Sequence, residues 1–126
     1  MISINEEQKM MLQTVKDFMN EKVAPLSLEM DETQTLKPEL ITMLGELGLL
    51  SLVIPKVYGG LGVDLTTLCL VIEEISKVDA SIGITVQCNS TGQRPILIGG
   101  SEELKKSIFE LAVEEGLLFG FAITEP

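Results

Sequence analysis

The chain of 126 residues has no histidine and no tryptophan, a single tyrosine, and only 4% aromatic residues. Without histidine there is no imidazole-ligated zinc and no Ser-His or Cys-His nucleophile, so most hydrolase chemistry is excluded. Cysteine is nearly as scarce. Cys69 and Cys88 are too few for a disulfide framework, read as small core side chains, and suit a reducing cytoplasm. Positive charge is also in short supply: nine Lys and Arg against nineteen Asp and Glu leave a net charge of −10, which repels nucleic acid and anionic membrane surfaces. Long apolar runs are absent. The stretch 47–54 falls far short of the roughly 20 residues that span a bilayer. The opening MISINEEQKM has neither the charged-then-apolar pattern of an export signal nor an Arg-rich transit helix, and no metal-ligand cluster, repeat or low-complexity tract follows.

What the chain does contain is helix. With 45% apolar and 22% charged residues it suits one compact domain. Asn5 and Gln8 have capping-box spacing, and Met11, Val15, Phe18 and Met19 then recur on one face. A shorter helix over 23–31, a polar connection over 33–36 and a Pro38-led helix over 39–47 closed by Gly48 come next. Pro55, Gly59, Gly60 and Gly62 mark an ordered loop. Asp64 caps a helix over 65–78, and Asp79 caps another running from Ala80 toward Thr91. That helix carries no charge from Ser81 to Ser90, which predicts a central element packed on nearly all sides. Gly92, Pro95, Gly99 and Gly100 then predict a break in the chain, with one buried turn over 96–98. Ser101 opens the clearest helix, which Gly116 ends. The apolar run 117–123 reads as a buried strand, and a lone strand leaves its backbone groups unpaired. The expected fold is therefore all-α: about six helices over 1–116, with 117–126 as the first strand of a β-domain that would follow.

Isolated side chains have ordinary readings. Tyr58 is expected to pack on its tight turn, and Lys105 and Lys106 to pair with Glu102, Glu103 and Glu110 along one helix. Arg94 is expected in a salt bridge, with a carboxylate or phosphate ligand as the alternative.

Four segments together carry a family resemblance: Gly45-Glu46-Leu47-Gly48-Leu49; residues 55–62, reading P-K-V-Y-G-G-L-G; Glu73-Glu74-Ile75 with Asp79-Ala80-Ser81; and Phe121-Ala122-Ile123-Thr124-Glu125-Pro126. In order and spacing they resemble the N-terminal helical domain of the flavin-dependent acyl-CoA dehydrogenases, over essentially the whole chain. The closing A-I-T-E-P is the most specific. The resemblance implies a complete enzyme with this α-domain, a β-domain and a C-terminal helical domain, FAD being held by the latter two and a neighbouring subunit. It implies removal of a proton at Cα by a glutamate of the C-terminal domain and hydride transfer from Cβ to flavin, so no catalytic residue lies in this chain and Glu125 is not the base.

By position in the motif, Phe121, Ile123 and Thr124 resemble the residues lining the flavin ring. Gln87, Ser90 and Thr91 resemble polar groups beside the acyl tunnel, with helix capping or back-bonding as the other reading of Ser90, Asn89 and Thr91. Gln87 at the tunnel floor would favour short or polar acyl groups. The implied partners are acyl-CoA, electron transfer flavoprotein and three further copies in a tetramer; the chain by itself is expected neither to hold FAD nor to turn over substrate. Acyl-CoA oxidases and some flavin monooxygenases share the domain. From another class, a free-standing helical module could add its terminal strand to a partner's sheet.

Overall fold

A computed structural model describes residues 3–124, within which there are six α-helices and no strand. Helix α1, Glu6–Phe18, begins with the capping box expected at Asn5: the Asn5 side chain accepts from the Gln8 amide, and Gln8 returns a bond to the Asn5 amide. The chain does not break after Phe18. It passes through one wide π-turn, Met19–Val23, into α2, Ala24–Thr33, whose Pro25 has no N–H to contribute. The turn buries Met19 and Val23 completely. Gln34, in the left-handed conformation, ends α2, so the polar connection runs over 34–37, one residue later than expected.

Helix α3, Pro38–Glu46, runs into Gly48 at φ 75°, the role expected of that glycine. Residues 49–54 then cross the core as irregular chain, burying Leu49, Leu50, Leu52, Val53 and Ile54. Their polar groups are satisfied by the loop folding back on itself: the Leu61, Gly62 and Val63 amides donate to the Ser51, Ile54 and Leu52 carbonyls. Gly60 makes this return possible, since a Cβ there would sit 2.2 Å from the Ile54 oxygen.

Helix α4, Leu65–Ser76, is capped by Asp64, and α5, Ala80–Gly99, by Asp79. The two pack side by side, with Leu68, Val71 and Ile75 meeting Ile82 and Val86 in the main core beside α1 and the π-turn. Helix α6, Glu102–Glu115, caps on Ser101 and closes a second small core in which Phe109 and Ala112 meet Ile54.

Four expectations need correction. Helix α5 does not stop near Thr91; it continues through Gly92 and Pro95 to Gly99. The bond that Pro95 cannot make would have gone to the carbonyl of Thr91, an exposed residue where water can replace it. Nor is α5 enclosed: its outer face leaves Ile84, Gln87, Cys88, Thr91 and Ile98 exposed. Both cysteines are accordingly exposed rather than in the core, Cys88 on that face and Cys69 on the open side of α4. Finally, the run predicted as a strand, residues 117–123, has no regular structure, because a strand needs an edge to pair with and the described residues offer none.

Candidate flavin and acyl-group face

The residues singled out for function fall on α5 and on the segment after α6. Along α5, Gln87 and Thr91 lie one turn apart on the exposed face, whereas Ser90 is buried. The Thr91 hydroxyl donates to the Gln87 carbonyl at 3.0 Å, the back-bonding arrangement anticipated for that residue. The Gln87 side chain is left facing outward.

The opposite face of α5 is polar in a different way. Asn89 and Gln93 are 1% and 0% exposed, and both amide nitrogens donate to one acceptor, the Leu50 carbonyl, at 2.5 and 2.7 Å. The Asn89 side-chain oxygen accepts from the Phe119 amide at 2.6 Å. Gln93 Oε1 is buried with no hydrogen-bond partner among the described residues. Sequence reasoning gave Asn89 only a capping or back-bonding role and Gln93 none. The signal was present, since 82, 86, 89 and 93 share one helical face and the first two are aliphatic.

The Asn89 bond docks the terminal segment onto α5. Gly92 lies under it, with Phe119 and Gly120 so close that a Cβ at position 92 would meet the Phe119 Cβ at 2.7 Å. One residue further on, Phe121 turns out to be half-exposed, and Ile123 and Thr124 are exposed. Leu117 and Leu118 are open as well. Glu125 and Pro126, the end of the A-I-T-E-P motif, lie outside the described residues. The docked segment thus joins its residues to the helix bearing Gln87, Ser90 and Thr91, although no direct contact links the two groups.

Asp79, Asp64, Tyr58 and Lys105 have partners within the fold. Burial pushes the Asp79 carboxyl up, but bonds from the Ser27 and Ser81 hydroxyls and the Ile82 and Ser81 amides outweigh it and hold the group below the usual carboxylate range. Asp64 is held down chiefly by the Thr67 amide it caps. Tyr58 packs as expected, its ring 5.7 Å from that of Phe109, and its hydroxyl donates to Glu102 at 2.8 Å, which raises the phenol above its ordinary value. Lys105 pairs with Glu102 at 2.9 Å. The salt bridge expected of Arg94 is not formed among the described residues. A groove of about 800 Å³ between α2 and the start of α5, reaching Leu28, Gln34, Leu36 and Ile84, includes none of the predicted site residues. Among the described residues no group of three His, Cys, Asp or Glu is placed to hold a metal, and no helix is long and apolar enough to cross a membrane.

Comparison with known proteins supplies the context for this face. The family model for the acyl-CoA dehydrogenase N-terminal domain matches residues 5–115. The cyclohex-1-ene-1-carbonyl-CoA dehydrogenase of Syntrophus aciditrophicus is 35% identical over the whole of this chain, which covers 31% of that protein. Butyryl-CoA dehydrogenase from Megasphaera elsdenii superposes with a TM-score of 0.84 at 30% identity, over 94% of this chain and 32% of that one. A chain from a structure described as the electron transferring flavoprotein of Acidaminococcus fermentans superposes at 0.86 with 31% identity, over 94% of this chain and 31% of that one. The chain therefore spans about a third of the length of the relatives it matches. With the family model matching residues 5–115 and the fold superposing over 94% of the chain, this chain belongs to the acyl-CoA dehydrogenase N-terminal domain family.

Proposed function

We propose that this chain serves as the N-terminal helical domain, residues 1–116, of a larger FAD-dependent enzyme that introduces an α,β double bond into an acyl-CoA thioester, and that residues 117–126 lead into its β-domain. The observation that carries the reading is the open face. Relatives three times as long align with the whole of this chain, and the outer face of α5 leaves Ile84, Gln87, Cys88, Thr91 and Ile98 exposed, with Arg94 the one charged residue of that helix. A monomeric domain seldom leaves such a helix face without a covering partner.

In this reading Gln87, Ser90 and Thr91 belong to the wall of the acyl tunnel. The outward Gln87 amide would meet the acyl tail, leaving a polar group unpaired against a long hydrocarbon, so short or polar acyl groups are favoured. Phe121 and Ile123 would keep water from one edge of the flavin ring, and the Thr124 hydroxyl would donate a hydrogen bond to it. When bound, FAD supplies the acceptor for the hydride that leaves Cβ. The proton at Cα is taken by a residue outside this chain, which acts here as scaffold and gatekeeper. Electron transfer flavoprotein is the proposed acceptor, a homotetramer the proposed assembly, and the cytoplasm, where two exposed thiols stay reduced, the proposed compartment.

The test is to express the full-length gene product, measure bound flavin by absorbance, and follow bleaching of that flavin under anaerobic conditions with acyl-CoA thioesters of increasing length. Stoichiometric FAD, reduced fastest by short thioesters, is the expected result. A folded, full-length product that binds no FAD would overturn the proposal, and preference for palmitoyl-CoA would remove the role of Gln87.

A further inference from the structure

The polar inner face of α5 performs a task that burial does not explain. Ile82, Val86, Asn89 and Gln93 follow one another along the same buried stripe, so aliphatic side chains at 89 and 93 would fit the pattern and spare the cost of burying two amides. What leucine or methionine cannot do is choose a particular backbone group. Asn89 does so at both ends, donating to the Leu50 carbonyl and accepting from the Phe119 amide, and Gln93 secures the same carbonyl. Three segments distant in sequence are thereby joined at one point: the buried chain that leads into the glycine loop, α5, and the start of the terminal segment.

Gly92 adds shape to this chemistry. Only a residue without Cβ lets Phe119 and Gly120 lie directly on α5; a methyl group there would stand 2.7 Å from the Phe119 Cβ and 3.1 Å from the Gly120 oxygen. The helix thus presents one acceptor and, one turn on, one bare patch of backbone. Register follows from the pair. A slip by one residue would offer the Leu118 or Gly120 amide to Asn89 and displace Phe121, Ile123 and Thr124 from their present places along the chain.

We propose that Asn89 and Gly92, supported by Gln93 through the shared Leu50 carbonyl, are positioning residues that set the register of segment 117–124 on α5 and so aim Phe121, Ile123 and Thr124 at the flavin. The aiming clause rests on the function proposed above; the register clause rests on the hydrogen bonds alone. Neither Asn89 nor Gly92 touches the reacting atoms, so their effect travels through the backbone of Phe119.

The experiment uses the full-length protein with three variants: Asn89→Ala, Gly92→Ala, which deletes no hydrogen-bonding group, and Ile82→Val, a control that trims the same buried face away from the segment. Hydrogen exchange of peptides covering 117–124, FAD affinity, and kcat and KM are measured together with thermal stability. Asn89→Ala, by removing the acceptor, and Gly92→Ala, by pushing the Phe119 amide away from Asn89, are expected to raise exchange in 117–124 and weaken FAD binding about tenfold, the scale of that one buried hydrogen bond, with kcat falling more than KM rises. Ile82→Val is expected to lower Tm without moving exchange or FAD affinity. Should Asn89→Ala fail to fold, Gly92→Ala decides alone. Unchanged exchange and FAD affinity in Gly92→Ala would overturn the proposal, as would Ile82→Val reproducing the loss. Raised exchange in a protein whose wild type binds no FAD would sustain the register and overturn the aiming together with the reading beneath it.

Discussion

The two faces of α5 have similar composition and opposite fates. Inward, Ile82, Val86, Asn89 and Gln93 are closed off, with both amides bonded to a backbone carbonyl. Outward, Ile84, Gln87, Cys88, Thr91 and Ile98 are exposed, and only Thr91 makes a side-chain bond, to its own helix. Apart from Arg94, both sides carry uncharged residues, so hydropathy alone does not distinguish the core face from the open one. Partnership does: both inner amide nitrogens find an acceptor within the domain, while the outer side chains lie open.

That contrast is broken most severely from inside. Ile82→Ala should cost about 2–5 kcal/mol, read as a lower midpoint in chemical denaturation, because a fully buried side chain leaves a cavity between α4 and α5. A cost below about 0.5 kcal/mol would show that the inner face is loosely packed. Asn89→Ala comes next, at about 1–3 kcal/mol, since the Phe119 amide loses its acceptor and the Leu50 carbonyl one donor.

At the N-terminus of the same helix, Asp79→Ala should cost about 0.5–2 kcal/mol at neutral pH through the lost cap. The charge of Asp79 gives this effect a pH signature. Its folded value lies below the ordinary 3.8, so the stabilisation is fully present above that pH and fades as pH falls through the folded value. The Tm difference between wild type and Asp79→Ala should therefore stay constant above about pH 5 and shrink below about pH 4. A difference that grew on acidification would contradict the assignment. The smallest effect belongs to the outer face: Ile84→Ala should change stability by no more than about 0.5 kcal/mol, since Ile84 is more than half exposed.

Much of the architecture was legible in the residues. Caps at Asn5, Asp64, Asp79 and Ser101 stand where the helices begin, because a side-chain acceptor beside free amides is a local interaction that sequence reports directly. Pro95 and Gly92 misled for the complementary reason. Their local preference for a break is overridden by packing and by a solvent-facing carbonyl, both tertiary facts. The π-turn at Met19–Val23 left no mark distinguishing it from ordinary helix, since its periodicity differs from α over a single turn. For the candidate site, Phe121 came from a family motif and Gln87 from the family's acyl chain passing the central helix, whereas their exposure is visible only in the structure. The joint at Asn89, Gly92 and Gln93 needed both, because the amides that bond across it are 30 and more residues apart in sequence.

The most direct test of the account is hydrogen exchange on the full-length protein, measured without added ligand and again with FAD and a short acyl-CoA. Protection should appear over the second half of α5 and over residues 117–124, leaving α1 and α3 as they were. Protection confined to other parts of the chain, with those two segments exchanging as before, would contradict the assignment of this face to the cofactor and acyl group.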